Sequence, residues 1–338
     1  TYKTNVGIDI RTLNSRLGIT LDAYYDMGRE LFTTFTGTSF YPTTVGTQAT
    51  PENFGEIDTY GVELTLNWKD KIGKDFSYWV KMSTGYSDNK IKEAGFQATP
   101  FFDDVVRGER SDRGVWGYEC LGMFRSYQEI EEYFAVNNIT SYLGNSKDNV
   151  HPGMLIYSDQ RGQRNADGSY CEKDGVIDRN DYVKISNRVN NPWGFTLNFG
   201  GAYKNFSFSA QLGANWGAYG LVQTNLRQES YDDMEYKNLS AMWKDMYVYE
   251  DVLDANGNVV AAMNRNAKYP NLRYKEVNSQ ASTFWKVSAA NIRLRNLTVA
   301  YNLPKEWLTP IGISSCRLNL TCQNLFSFYN PYENGVWD

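Results

Sequence analysis

Between residues 159 and 181 the chain carries aspartates whose types and spacing could hold a hard cation. In a helix–loop–helix calcium site, oxygen ligands fall at positions 1, 3, 5, 7, 9 and 12, with glycine at position 6 for the sharp turn. Asp174, Gly175, Val176, Asp178 and Asp181 fit positions 5, 6, 7, 9 and 12. The first half does not fit, because an insertion with Arg161, Arg164, Asn165 and Asp167 sets Asp159 apart. Calcium held by Asp159, Asp174, Asp178 and Asp181 is one expectation. A turn in which Asp and Gly serve local backbone groups is the other. A second acidic stretch, Asp254-Ala255-Asn256-Gly257-Asn258, reads as a hairpin tip.

Other reactive chemistry is sparse. Cys120, Cys171, Cys316 and Cys322 show no CxxC spacing and have only His151 to help them, which argues against zinc. Cys316 and Cys322 lie in one strand-like segment, about 20 Å apart at about 3.3 Å per residue, too far to pair within that strand. Cys120 and Cys171 fall in loop segments and could pair or stay free. His151 stands beside Pro152 with no nucleophile motif near it, and no spacing singles out two carboxylates as an acid pair, so the chain does not read as an enzyme. Aromatic rings that stack on sugar faces or apolar groups are the remaining tools. Trp116, Tyr118, Phe124, Trp216 and Tyr219, in or beside long loops, are the candidate substrate contacts.

The elements that must position these groups are strands. Trp193, Phe195, Leu197, Phe199 and Tyr203, then Phe206, Phe208, Ala210, Leu212, Ala214 and Trp216, alternate with small or polar residues about a turn at Lys204-Asn205. A first hairpin places Val6, Ile8 and Ile10 opposite Leu17, Ile19, Leu21, Ala23 and Tyr25 around Leu13-Asn14-Ser15-Arg16, with Asp9, Arg11, Thr20 and Asp22 on the other parity. A second carries Tyr60, Val62, Leu64, Leu66 and Trp68, turns near 70–74, and returns with Phe76, Tyr78, Val80 and Met82. A fourth runs over about 285–303 and returns with Leu318, Leu320 and Cys322; its apolar parity switches between Leu294 and Leu297, which predicts a bulge at Arg295-Asn296.

Such a ladder buries its apolar face in a soluble sandwich, but turns it to lipid in a membrane barrel. The polar parity favours the barrel, since Asp9, Arg11, Glu63 and Lys81 suit a wet lumen better than a core. Short turns alternate with long connections over about 29–53, 91–191 and 217–284, as in barrels with tight turns on one side and long extracellular loops on the other. Aromatics gather at strand ends, at Tyr24, Tyr25, Trp68, Trp193, Tyr203, Trp216 and Tyr301, where interfacial girdles would lie. No run of 18 apolar residues exists for a membrane helix. The 25 Tyr, 17 Phe and 9 Trp in 338 residues are in keeping with an aromatic-rich barrel, whose alternation masks its membrane signal in a mean hydropathy of -0.54. A net charge of -5 without a basic patch excludes nucleic acid as a partner. The fold class expected is therefore all-β, an antiparallel transmembrane barrel with long extracellular loops. The start at Thr1 without an export segment and the loop-like end at 330–338 suggest a piece of a longer chain.

The segment 104–181 resembles a known family. Val106-Arg107-Gly108-Glu109, Val115-Trp116-Gly117-Tyr118, Leu121-Gly122-Met123-Phe124 and Gln128-Glu129-Ile130 are followed by Pro152-Gly153-Met154-Leu155-Ile156-Tyr157-Ser158-Asp159 and Asp174-Gly175-Val176-Ile177-Asp178-Arg179-Asn180-Asp181. Later come Asn291-Ile292-Arg293-Leu294-Arg295-Asn296-Leu297-Thr298-Val299-Ala300-Tyr301-Asn302-Leu303-Pro304, Ile311 to Leu318, and Gln323-Asn324-Leu325-Phe326. This order resembles SusC/RagA-type TonB-dependent outer-membrane transporters. The resemblance implies that residues 1–338 are the C-terminal part of a 22-stranded barrel, with 91–191 as a large extracellular loop and the plug, TonB box and final strands lying outside this chain. It further implies a SusD-like lipoprotein lid, coupling to TonB, contact with membrane lipid, and import of an oligosaccharide or an oligopeptide, of which the oligosaccharide is the expectation favoured. A passive porin, a siderophore-type receptor and a secreted β-rich glycan-binding protein are the alternatives.

Overall fold

A computed structural model describes residues 1–33, 44, 46, 52–96, 100–229 and 240–331. Its main sheet has eight strands: β1 (Tyr2–Thr12), β2 (Leu17–Thr33), β3 (Glu52–Ile72), β4 (Phe76–Glu93), β5 (Trp193–Tyr203), β6 (Phe206–Trp216), β7 (Asn291–Asn302) and β8 (Arg317–Tyr329). They pair antiparallel in sequence order, as an open meander. The four hairpins expected from alternation are all present, with strands β2 to β4 running several residues past their apolar stretches. At the first turn Leu13, Asn14 and Ser15 all take positive φ, and Arg16 Nη1 meets Asp70 Oδ2 of the next turn at 3.0 Å. The expected bulge is also present: β6 pairs Gln211 with Asn296 and Leu212 with Leu294, skipping Arg295.

The register aligns like with like, because residues opposite each other in an antiparallel pair share a face. One row across all eight strands reads Ile10, Ile19, Leu66, Met82, Leu197, Leu212, Leu294, Phe326. The neighbouring row on the other face reads Arg11, Gly18, Asn67, Lys81, Asn198, Gln211, Asn296, Gln323. A one-residue slip would exchange the two rows, so this contrast pins the register.

By compactness the chain divides into two units. The first comprises Thr1–Arg113, Asn190–Ala218 and Ser288–Pro331, and so holds the sheet. The second comprises Gly114–Val189 and Tyr219–Val287. The long connections are thus not bare loops: most of 91–191 and of 217–284 folds into one body with its own core, while the stretch up to Arg113 stays with the sheet. Local signals build that body. Helix α1 (Tyr127–Val136) starts where Ser126 accepts from the Glu129 backbone N–H, which meets one orphan donor of the first turn, and Glu129 accepts from the N–H of Arg125 just ahead of the cap. It buries Ile130 and Phe134 against Phe124, Tyr142, Leu155, Tyr157, Ile177 and Trp285. Tyr142 is fully buried and doubly bonded: its hydroxyl donates to Leu155 O at 2.5 Å and accepts from Tyr157 N at 2.9 Å. The hairpin tip at 254–258 forms as expected, with Asp254 accepting from the Asn256 and Asn258 N–H groups and Gly257 at positive φ.

Candidate functional site

On the apolar face of the sheet, two rows of aromatics bracket the aliphatic rows. Tyr86, Trp193 and Trp216 stand opposite one another at one end, with the Tyr86 and Trp193 rings 4.6 Å apart. Phe76, Tyr203, Phe206 and Tyr301 do so at the other, with Phe206 and Tyr301 4.5 Å apart. Trp193 and Tyr203 are ten residues apart on β5, or about 33 Å along the strand. At a tilt of about 40° that is about 25 Å along the barrel axis, the height of the lipid-facing apolar band. Trp216 therefore stands in a girdle row of the apolar face. Tyr24, expected in a girdle, lies on the polar face, where its ring covers Gly61; a Cβ on Gly61 would come within 2.5 Å of the Tyr24 hydroxyl. The polar face carries a cavity of about 440 Å³ that includes Tyr24, Glu63, Thr65, Ser83, Thr196 and Asn215. Across β2 and β3, Glu63 lies opposite Asp22, a like-charge pair that the sheet tolerates only where water or a ligand screens it.

In the second unit the motif aromatics separate by burial. Tyr118 and Phe124 are core residues, Phe124 with no exposed surface, and burial drives the Tyr118 hydroxyl well above its ordinary range. Neither can touch a substrate, which corrects the expectation drawn from their types. Trp116 sits in a short strand, Val115–Gly117, half-buried under the Lys184 ammonium at 5.6 Å. Tyr219 remains exposed, with Lys286 over its ring at 4.8 Å.

A different aromatic constellation lines a cavity of about 800 Å³ in this unit. Tyr127, Tyr249 and Tyr274 line it together with Glu250, Arg273 and Lys275. The Tyr127 and Tyr249 rings meet edge to face at 5.5 Å, His151 stacks on Tyr274 at 5.2 Å, and the Arg265 guanidinium lies 4.2 Å from the Tyr249 centroid. Ring faces beside charged and amide groups suit a ligand with apolar CH faces and a rim of hydroxyls. Sequence reading missed these residues. They come from three distant segments, and only the position of Tyr127 just ahead of Gln128-Glu129-Ile130 hinted at one of them.

The acidic segment does not form the expected four-aspartate site. Asp178 caps the short turn Arg179–Asp181 by accepting from the Asn180 N–H, and Asp181 accepts from the Gln160, Arg161 and Asp178 N–H groups. Both are engaged in holding backbone. Burial lifts the Asp181 carboxyl to about 6, its three backbone bonds pulling down and the Asp159 charge adding to the rise. Among the described residues no group of three or more His, Cys, Asp or Glu is disposed to hold a metal. All four cysteines are free, so Cys120 and Cys171 do not pair.

The chain is 24% identical to TonB-dependent receptor P39 of Formosa agariphila, over 98% of this chain and 32% of that receptor. It is 24% identical to the TonB-dependent receptor SusC of Bacteroides thetaiotaomicron, over 95% and 28%. Among solved structures, the RagAB peptide importer in its closed-closed state superposes with a TM-score of 0.64 at 17% identity, covering 97% of this chain and 32% of that one. This chain is SusC/RagA-like. No family model matches it, and it spans about a third of the length of the curated relatives it matches. A SusC/RagA-like sheet is a wall of an outer-membrane β-barrel, so the apolar rows face lipid and the polar rows face the lumen. The relatives are receptors and importers, not enzymes.

Proposed function

We propose that the protein carrying this chain imports an oligomeric nutrient across the outer membrane, driven through TonB and working with a SusD-like surface lipoprotein. The wall supplies a wet, uncharged-to-charged lumen face, and the folded unit made of the long connections supplies the outer contact surface. The observation that carries the reading is the pairing of that two-faced wall with the tyrosine-lined cavity of Tyr127, Tyr249 and Tyr274. An oligosaccharide is favoured over an oligopeptide, because three tyrosines beside Glu250, Arg273 and Lys275 pair apolar ring surface with polar groups, as a ligand with CH faces and a rim of hydroxyls needs. The peptide reading has its own support in the solved relative named as a peptide importer.

The test is growth of the source bacterium, with and without the intact gene, on single oligosaccharides and on oligopeptides as sole carbon source. Loss of growth on one class of oligosaccharide, restored by the wild-type gene and not by Tyr249→Ala with Tyr274→Ala, is expected. Loss confined to oligopeptides would transfer the reading to peptides. Unchanged growth on both classes would sink it.

A further inference from the structure

Inside the second unit, a cavity of about 420 Å³ lies beside the end of α1 and includes Asn137, Asn138, Ser158, Asp159, Lys173 and Asp174. Asp159 is 6% exposed. Its Oδ2 accepts from the Gly175 N–H at 2.9 Å, while its Oδ1 is buried without any hydrogen-bond partner. A buried carboxylate oxygen left bare is costly, and in native proteins such an atom is met by an ion, a water or a proton. The second carboxylate of the cavity is Asp174. Its Oδ1 accepts from the Val176 N–H at 3.0 Å, and its Oδ2 sits against Gly162, where a Cβ would come within 3.1 Å. Asn137 uses its amide NH₂ on Tyr133 O at 2.9 Å, which leaves its amide oxygen to accept. Gly175 links the two aspartates. It takes φ +74 and lies so close to Asn138 that a Cβ would meet the Asn138 carbonyl oxygen at 2.3 Å, so only glycine permits this approach.

We propose that this cavity binds one calcium ion through Asp159 and Asp174, with amide, hydroxyl or backbone oxygens of the cavity wall and water completing the shell. Calcium accepts six to eight oxygens at about 2.3 to 2.6 Å in flexible arrangements, and two carboxylates with neutral oxygens meet that need. Magnesium, which demands a near-ideal octahedron, is disfavoured by so mixed a set. The site differs from the four-aspartate loop suggested by spacing, because Asp178 and Asp181 have both carboxylate oxygens engaged by N–H donors and do not line the cavity. The internal competitor is Lys173, whose ammonium is the one cation among the side chains lining this cavity. The proposal is independent of the transport reading, since it needs no substrate.

The test uses the full-length protein in detergent, stripped with EGTA and titrated with calcium chloride alone by calorimetry and by thermal unfolding. The wild type is expected to bind one more calcium than Asp159→Asn or Asp174→Asn, and to gain a calcium-dependent rise in the midpoint of the second unit that both variants lack. In EGTA, Asp159→Asn is expected to unfold no earlier than wild type, because it removes a bare buried charge. Asp174→Asn, on the exposed side of the cavity, keeps the test open should Asp159→Asn misfold. Equal calcium binding by wild type and both variants overturns the proposal. So does a fall in the EGTA midpoint for Lys173→Gln as large as the calcium effect, which would make Lys173 the native counter-charge.

Discussion

Leu197 and Asn198 are neighbours on β5, yet the register places them in opposite solvents. Leu197 lies in the row Met82, Leu197, Leu212, and Asn198 in the row Lys81, Asn198, Gln211. Leu197 is four residues from Trp193 in one girdle and six from Tyr203 in the other. With about 3.3 Å per residue and a tilt of about 40°, it stands about 10 Å below one interface and about 15 Å from the other, close to the midplane. An arginine on the lipid face at that depth costs about 2 to 4 kcal/mol, and removing the Leu side chain from lipid adds to that cost. About 3 kcal/mol is more than a hundredfold in the folding constant at about 1.4 kcal/mol per tenfold. Asn198→Arg, one residue away, adds a second cation opposite Lys81 on a wet surface and should cost less than about 1 kcal/mol. Urea unfolding of the full-length barrel in lipid vesicles, followed by tryptophan fluorescence, gives both values. Equal costs for the two variants, or a larger cost at Asn198, would refute the assignment of lipid and lumen faces on which the reading of the wall rests.

Three further outcomes follow from particular contacts. Asp58, 3% exposed, accepts from Tyr25 Oη and Arg29 Nη1, each at 2.7 Å, with Lys92 at 3.5 Å, so Asp58→Ala strands a half-buried guanidinium and should lower the unfolding free energy of the sheet unit by about 3 kcal/mol, with Asp58→Asn costing less. Tyr142→Phe leaves the buried Tyr157 N–H unpaired and should cost about 1 to 3 kcal/mol in the second unit, read as faster hydrogen exchange at Tyr157; unchanged protection there would contradict the bond. Burial pushes the Cys120 thiol up to about 11 whereas Cys171 is exposed, so at pH 8 iodoacetamide should modify Cys171 far faster, and mass spectrometry that finds Cys120 labelled first would overturn that burial.

The sheet was legible in the sequence because a period of two is imposed by the pleat itself. Every expected hairpin is present, and the parity switch at Arg295-Asn296 located a bulge to the residue. What alternation could not convey was the body built from the long connections. Its core joins Phe124, Tyr142, Tyr157, Trp243 and Trp285, side chains from segments more than a hundred residues apart, and no local period links them. The same gap explains the errors at Tyr118 and Phe124: an aromatic in a long loop was taken for a surface tool, when that loop had an inside. It also explains the acidic segment. Spacing gave four aspartates equal standing; all four accept from backbone N–H groups, but only Asp159 and Asp174 also line a cavity.

The two units are stabilised by different solvents. Among the described residues, every buried hydrophobic residue larger than alanine belongs to the second unit, apart from Leu308; the first unit contributes only Ala210, Ala214, Ala218 and Ala300 besides. A soluble sandwich cannot be built that way, since its apolar face would be its core, and Ile8, Ile10, Phe206, Phe208 and Leu320 would not stand exposed. The sheet instead leaves its apolar rows to lipid, and its own contribution is the backbone ladder between neighbouring strands, which a low-dielectric surround makes obligatory. This is why a mean hydropathy of -0.54 is compatible with a membrane wall. The polar lumen rows and the second unit outweigh the lipid-facing rows in the average.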